Sequence, residues 1–195
     1  MRKLFFIGLA LFSTLFVSAQ SRLSAKAGIN TLTLNSSDKD RDFSNRHTGI
    51  QLGLAYEVPL AGAFSIRPEF IVSQYAVSES AGGNKLKLGY YQIPVILNYR
   101  NEESGFNLFA GPQVGSISNA KYVNMNSDVT SGRGNTLNET DFGYTYGVSS
   151  TPNAKGYYLD VRAYRGLSNV LKTVYDKGVN SSNFALSVSI GYRFK

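Results

Sequence analysis

Apolar and polar residues alternate along most of this chain with a period of two, which is typical of β-strands whose two faces differ. The pattern is clearest near the end, where every second residue from Phe184 to Phe194 is apolar. Eight such segments occur, over residues 22–34, 47–58, 63–78, 85–100, 106–118, 141–151, 157–166 and 183–194. Most reach the ~9–11 residues with which a tilted strand crosses a bilayer.

The connections between these segments alternate in length. Long polar connections follow the odd-numbered segments, at 35–46, 79–84, 119–140 and 167–182. Short connections follow the even-numbered ones, at 59–62, 101–105 and 152–156. The alternation places long and short connections at opposite ends, and with an even strand number it is typical of outer-membrane barrels with short periplasmic turns. We therefore predict an all-β, eight-stranded antiparallel up-and-down transmembrane β-barrel with both termini in the periplasm, closed by pairing of the first and last strands.

Aromatic residues on the apolar faces collect near the short connections. They are Tyr56, Phe64, Tyr99, Phe106, Tyr157, Tyr192 and Phe194. Membrane barrels carry such aromatic girdles at their interfaces, although aromatic residues also favour strands in general. The girdle favours apolar faces that contact lipid, whereas a soluble lipocalin-like barrel would turn the same alternation inside out.

The opposite faces are small and polar, and they carry charges in the half near the short connections. These charges are Glu57, Arg67, Glu69, Asp160, Arg162 and Arg193. A lumen of eight strands is just wide enough for side chains to fill it, and buried charges must be paired. We predict a structural ion network that plugs the lower lumen, with an ion or proton relay as the alternative. Charge reversal at Arg67 or Arg162 should then destabilise the barrel.

Three prolines lie inside the predicted strands, at Pro68, Pro94 and Pro112. A closed barrel has no edge at which the missing N–H is tolerated. Bulges or local kinks are therefore expected at these positions, together with an irregular ladder.

The first 19 residues resemble a secretory signal peptide. Arg2 and Lys3 precede an apolar run that ends in Val17-Ser18-Ala19, which fits the small-residue rule for cleavage. A short membrane anchor is the alternative. Residues 20–195 would form one outer-membrane barrel domain, with 18 basic and 13 acidic residues and hence a net charge of +5. The basic residues are scattered, so no nucleic-acid partner is expected.

No residue pattern predicts a catalytic, cofactor or metal site. His47 is the only histidine, and no metal-ligand spacing surrounds it. The carboxylates of 37–42 alternate as in calcium loops, but the required glycine and closing glutamate are absent. We expect a non-enzymatic protein with a structural or interaction role, and a lipid-modifying enzyme or a narrow pore are the alternatives.

Four stretches resemble the PorT-like outer-membrane β-barrel family. They are "YYQIPVILNY" at 90–99, "FNLFAGPQVG" at 106–115, "DFGYTYGVS" at 141–149 and "YYLDVRAYRGLSNV" at 157–170. Gln92 stands where the family often has a glutamate. The resemblance implies an eight-stranded barrel in the outer membrane of a Gram-negative bacterium. It implies contact with outer-membrane lipids, insertion by the barrel-assembly machinery and possible envelope partners. The namesake takes part in type-nine secretion and surface motility, which makes a secretion component an alternative function.

Overall fold

A computed structural model describes residues 22–36, 45–78, 85–101, 103–124, 127–129, 140–168 and 181–194. The predicted signal peptide and the residues 37–42 lie outside this part of the chain, as does the side chain of His47. Among the described residues no helix is long and apolar enough to cross a membrane. The strands are β1 (Arg22–Ser36), β2 (Asn45–Pro59), β3 (Phe64–Ser78), β4 (Lys85–Asn101), β5 (Phe106–Asn124), β6 (Ser127–Val129), β7 (Thr140–Ser150), β8 (Tyr157–Gly166) and β9 (Ser181–Arg193).

Eight long strands form one closed antiparallel barrel, as predicted. Each pairs with its neighbours in chain order, β4 pairs with β5, and β9 pairs with β1 to close the sheet. The closing register sets Ser24 opposite Arg193 and Ser36 opposite Ser181. The short turns follow β2, β4 and β7, and each contains a glycine in the left-handed region: Gly62, Gly105 and Gly156. Such a residue lets the chain reverse within a few residues.

Strand β5 corrects one predicted boundary. It continues past residue 118 to Asn124 and makes a short hairpin with β6. The extension pairs with β4, with Tyr122 opposite Leu86. The first residues of the connection predicted at 119–140 therefore belong to the sheet, because they pair with β4 from Gly89–Asn119 to Lys85–Val123. Most of the remaining connection lies outside the described residues.

The apolar faces point away from the barrel axis. Ile50, Leu52, Leu108 and Ile190 are each at least 60% exposed, whereas polar residues of opposite parity are buried inside. This arrangement is the reverse of a soluble barrel, whose core is apolar. The lipocalin-like alternative is therefore wrong.

The strand ladders are interrupted at the prolines without a change of register. Pairing of β3 with β4 stops at Pro68–Val95 and resumes at Ile71–Gln92, and pairing of β4 with β5 stops at Pro94–Gln113 and resumes at Leu97–Ala110. The register shifts occur elsewhere, between His47 and Gln51 and between Gly89 and Tyr90. The expected irregularity of the ladder at the prolines is thus confirmed, whereas the expected bulges are not found there, since skipped pairs are sufficient to accommodate the missing N–H groups.

Candidate functional site

Five charged side chains meet in the middle of the lumen. We call this group the ionic core, and its members are Lys26, Arg67, Glu69, Asp160 and Arg162. They come from β1, β3 and β8, at positions of inward parity. Each is at most 5% exposed. The group contains three cations and two carboxylates. Burial of so many charged groups is tolerated only when they pair with one another.

Glu69 is the centre of the ionic core. Its carboxylate accepts from Lys26 Nζ at 2.6 Å and from Arg162 at 2.9 and 3.2 Å. Arg67 Nε lies 2.9 Å from its Oε1 atom. One carboxylate therefore holds cations from all three strands, which ties distant parts of the barrel wall together.

Arg162 joins Glu69 to the second carboxylate. Its Nε and one terminal nitrogen each donate to Asp160 at 2.8 Å. Such a bidentate arrangement is the geometry that favours arginine over lysine. Arg67 and Arg162 also lie over the ring of Phe109, at 5.1 and 5.0 Å from its centre. The ring face adds cation–π stabilisation to both guanidinium groups.

A second charged group lies at the short-turn end of the lumen. We call it the mouth cluster, and it consists of Arg22, Glu57, Ser65, Arg100 and Arg193. Glu57 accepts from Arg193 at 2.6 Å, from Ser65 Oγ at 2.8 Å and from Arg100 at 3.4 Å. The mouth cluster is more exposed than the ionic core, because the arginine side chains reach the barrel opening.

The lumen toward the long connections has a different chemistry. We call it the upper lumen, and its polar residues are Tyr75, Tyr90, Gln92, Asp141, Tyr164 and Asn183. Gln92 accepts from Ser73 at 2.9 Å and donates to the Tyr75 hydroxyl at 3.1 Å. Asn183 donates to the Asp141 carboxylate. Hydrogen bonds from uncharged donors and an edge-on contact of Tyr75 with Tyr90, with ring centres 5.5 Å apart, replace the ion pairs of the ionic core.

The six charges predicted to share one network fall into two groups. Arg67, Glu69, Asp160 and Arg162 are joined directly, whereas Glu57 pairs with Arg193 in the mouth cluster. Lys26 was absent from the predicted network although its parity is inward, and Asp141 was overlooked as well. The outward parity of Phe142, Tyr144 and Tyr146 places Asp141 inside, so this signal was available in the sequence.

The seven aromatic residues of the predicted girdle all lie around the short-turn end with outward parity. Several touch across neighbouring strands. The ring centres of Phe64 and Tyr99 are 5.2 Å apart, and those of Tyr157 and Tyr192 are also 5.2 Å apart. Phe194 continues the row, 5.3 Å from Tyr192. The result is a ring of aromatic surface beside the charged mouth.

Solved structures similar to this chain are outer-membrane barrels. Neisserial surface protein A is 14% identical with a TM-score of 0.60, over 90% of this chain and 99% of the other. Ail, the attachment invasion locus protein of Yersinia pestis, is 16% identical with a TM-score of 0.58 in its complex with the heparin analogue sucrose octasulfate, over 90% and 99% of the two chains. At this identity the likeness concerns the fold alone. A comparison with curated proteins found no match.

The sequence also fits a family model. Residues 18–172 match the model described as outer membrane protein beta-barrel domain. This range includes β1 to β8 and both carboxylates of the ionic core. The chain therefore belongs to the outer-membrane β-barrel domain family.

Proposed function

We propose that this outer-membrane barrel is a non-enzymatic protein with a side-chain-filled lumen that acts through a structural or interaction role. The observation that carries the proposal is the ionic core, which places five buried charged side chains across the middle of the lumen. The described lumen carboxylates are engaged in contacts within the barrel, with basic residues in three cases and with Asn183 in the fourth. These contacts support a plug rather than a pathway or a catalytic centre.

The proposed orientation places the short turns and both termini in the periplasm. The aromatic girdle would then lie at the periplasmic interface, and the outer belt of apolar side chains would contact lipid. The long connections would face outward from the cell, where interaction partners are most accessible. Insertion by the barrel-assembly machinery and a cleaved signal peptide over residues 1–19 belong to the same proposal.

Electrical recording tests the plug. Purified protein in planar bilayers should show no resolved conductance steps, because permeant ions would have to displace the Glu69 and Asp160 ion pairs. The folded state of the same sample should be verified by heat-modifiable gel migration, and a preparation unfolded before addition is the control. Reproducible steps that grow with salt concentration and are absent from the control would contradict a filled lumen.

A role in a secretion or surface-motility complex is the second candidate, favoured by the PorT-like order of the four sequence stretches. Two of them meet in the barrel wall, where Pro94 lies opposite Gln113. A Cβ at Gly111 would lie 2.0 Å from the Val95 carbonyl oxygen, so close packing of the strands also explains why a glycine stands in this motif. Crosslinking in cells separates the candidates. Reproducible capture of envelope partners by the native barrel would favour the complex, and recovery of the barrel alone would count against it.

A further inference from the structure

The mouth cluster carries more positive than negative charge. Arg22 stands opposite Glu57 in the sheet register, and Arg100 and Arg193 pair with the same carboxylate. Arg22 and Arg100 are both close enough to Arg193 for their charges to repel it. Within the described residues Glu57 is the only acidic side chain paired with any of these arginines. Three guanidinium groups and one carboxylate leave a local charge of +2.

A cavity of about 170 Å³ opens beside these charges. Arg22, Glu57, Ser65 and Arg100 line it, and the β2–β3 turn closes one side. The Arg100 side chain is 25% exposed, and its one ion pair among the described residues, to Glu57, is long at 3.4 Å. Its terminal nitrogens can therefore donate to a ligand that supplies acceptor oxygens, and charge-assisted hydrogen bonds of this kind are strong.

We propose that this cavity binds a phosphate group, either free phosphate or a small phosphate monoester. Guanidinium groups match phosphate oxygens with paired hydrogen bonds. A phosphate monoester carries about −1.5 to −2 charges at neutral pH, which matches the local excess, whereas a carboxylate would neutralise only half of it. Leu60 and Phe64 add apolar surface at the rim, which can accept a short carbon substituent.

Calorimetric titration of the full chain, folded in a non-ionic detergent at constant ionic strength, tests this site. Inorganic phosphate and glycerol 3-phosphate should each bind saturably, and a phosphodiester with a single charge should bind less tightly. Tighter binding of glycerol 3-phosphate would identify an organic monoester as the ligand class, and tighter binding of inorganic phosphate would identify the free ion. Arg22→Gln and Arg100→Gln should each weaken phosphate binding about tenfold or more, because each removes a charge-assisted hydrogen bond.

Two further variants make the test specific. Arg165→Gln is the matched control, because this exposed arginine lies on the outer face of β8 near the opposite end of the barrel. The phosphate affinity of this variant should equal that of the parent. Glu57→Gln should bind phosphate about tenfold more tightly, because it removes the competing carboxylate. Absence of saturable binding by the parent, or parental affinity in both Arg22→Gln and Arg100→Gln, would overturn the proposal. If Glu57→Gln does not fold, the two arginine variants decide the matter.

Discussion

The ionic core and the upper lumen bury their polar groups in different ways. In the ionic core, Glu69 contacts three cations, and Asp160 is held by Arg162 and approached by Arg67 at 3.5 Å. In the upper lumen, Asp141 is 3% exposed and accepts from the amide of Asn183. No basic side chain of the described part lies within ion-pair distance of Asp141. A buried carboxylate is thus compensated by cations in the ionic core and by an uncharged donor in the upper lumen.

This difference predicts unequal sensitivity to substitution. Ions in a region of low dielectric depend on one another, so removal of one leaves its partners uncompensated. Neutral donors and acceptors lose only a hydrogen bond when a partner changes. The ionic core should therefore determine the stability of the barrel, while the upper lumen should tolerate isosteric changes.

Reversal of the charge at Arg162 should have the largest effect. Arg162→Glu would place a third carboxylate beside Glu69 and Asp160 and remove four hydrogen bonds from the ionic core. We expect a loss on the order of 5 kcal/mol or more, which is comparable with the whole stability of many domains. Refolding into detergent should yield little protein with the heat-modifiable migration of a folded barrel.

The control for this reversal is Arg165→Glu on the same strand. Arg165 has outward parity near the end of β8 and is exposed. A charge near the membrane interface costs only about 0–1 kcal/mol. This variant should therefore fold with nearly the parental yield. Equal yields of the two variants would show that the ionic core does not support the fold.

A matched pair of carboxyl-to-amide changes compares the two halves directly. Glu69→Gln leaves Lys26, Arg67 and Arg162 with the single carboxylate of Asp160, and it should cost about 3–5 kcal/mol. Asp141→Asn keeps an acceptor for Asn183 and removes a charge that has no described cation, so it should cost less than about 1 kcal/mol. Urea titrations followed by heat-modifiable migration give the free energy of unfolding for both. A larger loss for Asp141→Asn than for Glu69→Gln would reverse the comparison.

Alternation alone predicts much of this architecture. It places Glu57, Arg67, Glu69, Asp160 and Arg162 on one face, because side-chain parity is a local property of each strand, and the aromatic girdle on the other face assigns this one to the lumen. The alternation of connection lengths predicts the up-and-down order of strands, since it depends only on antiparallel neighbours. The number of strands and the residues that share each face could therefore be predicted from the sequence before any side-chain partner was known.

Alternation could not predict which side chains pair with one another within the lumen. Lys26 and Glu69 are 43 residues apart, and Arg162 and Glu69 are 93 apart. Whether they meet depends on the stagger of neighbouring strands around the barrel, which alternation does not encode. The separation of Glu57 from the ionic core has the same origin, because its height is set by the β1–β2 register. Parity identifies the inner residues, and register decides which of them interact.

The smallest effect is expected at Lys26, which tests whether charge balance or the number of contacts stabilises the ionic core. The core contains three cations and two carboxylates, and Glu69 keeps both Arg67 and Arg162 when Lys26 is removed. Lys26→Met preserves the length of the side chain and removes the excess charge, so the free energy of unfolding should change by less than about 1 kcal/mol. The same urea titration measures it beside Glu69→Gln. A loss as large as that of Glu69→Gln would mean that each contact stabilises the ionic core irrespective of its net charge. A loss several kcal/mol smaller than that of Glu69→Gln would show that the two carboxylates, which are fewer than the cations, limit the stability of the ionic core.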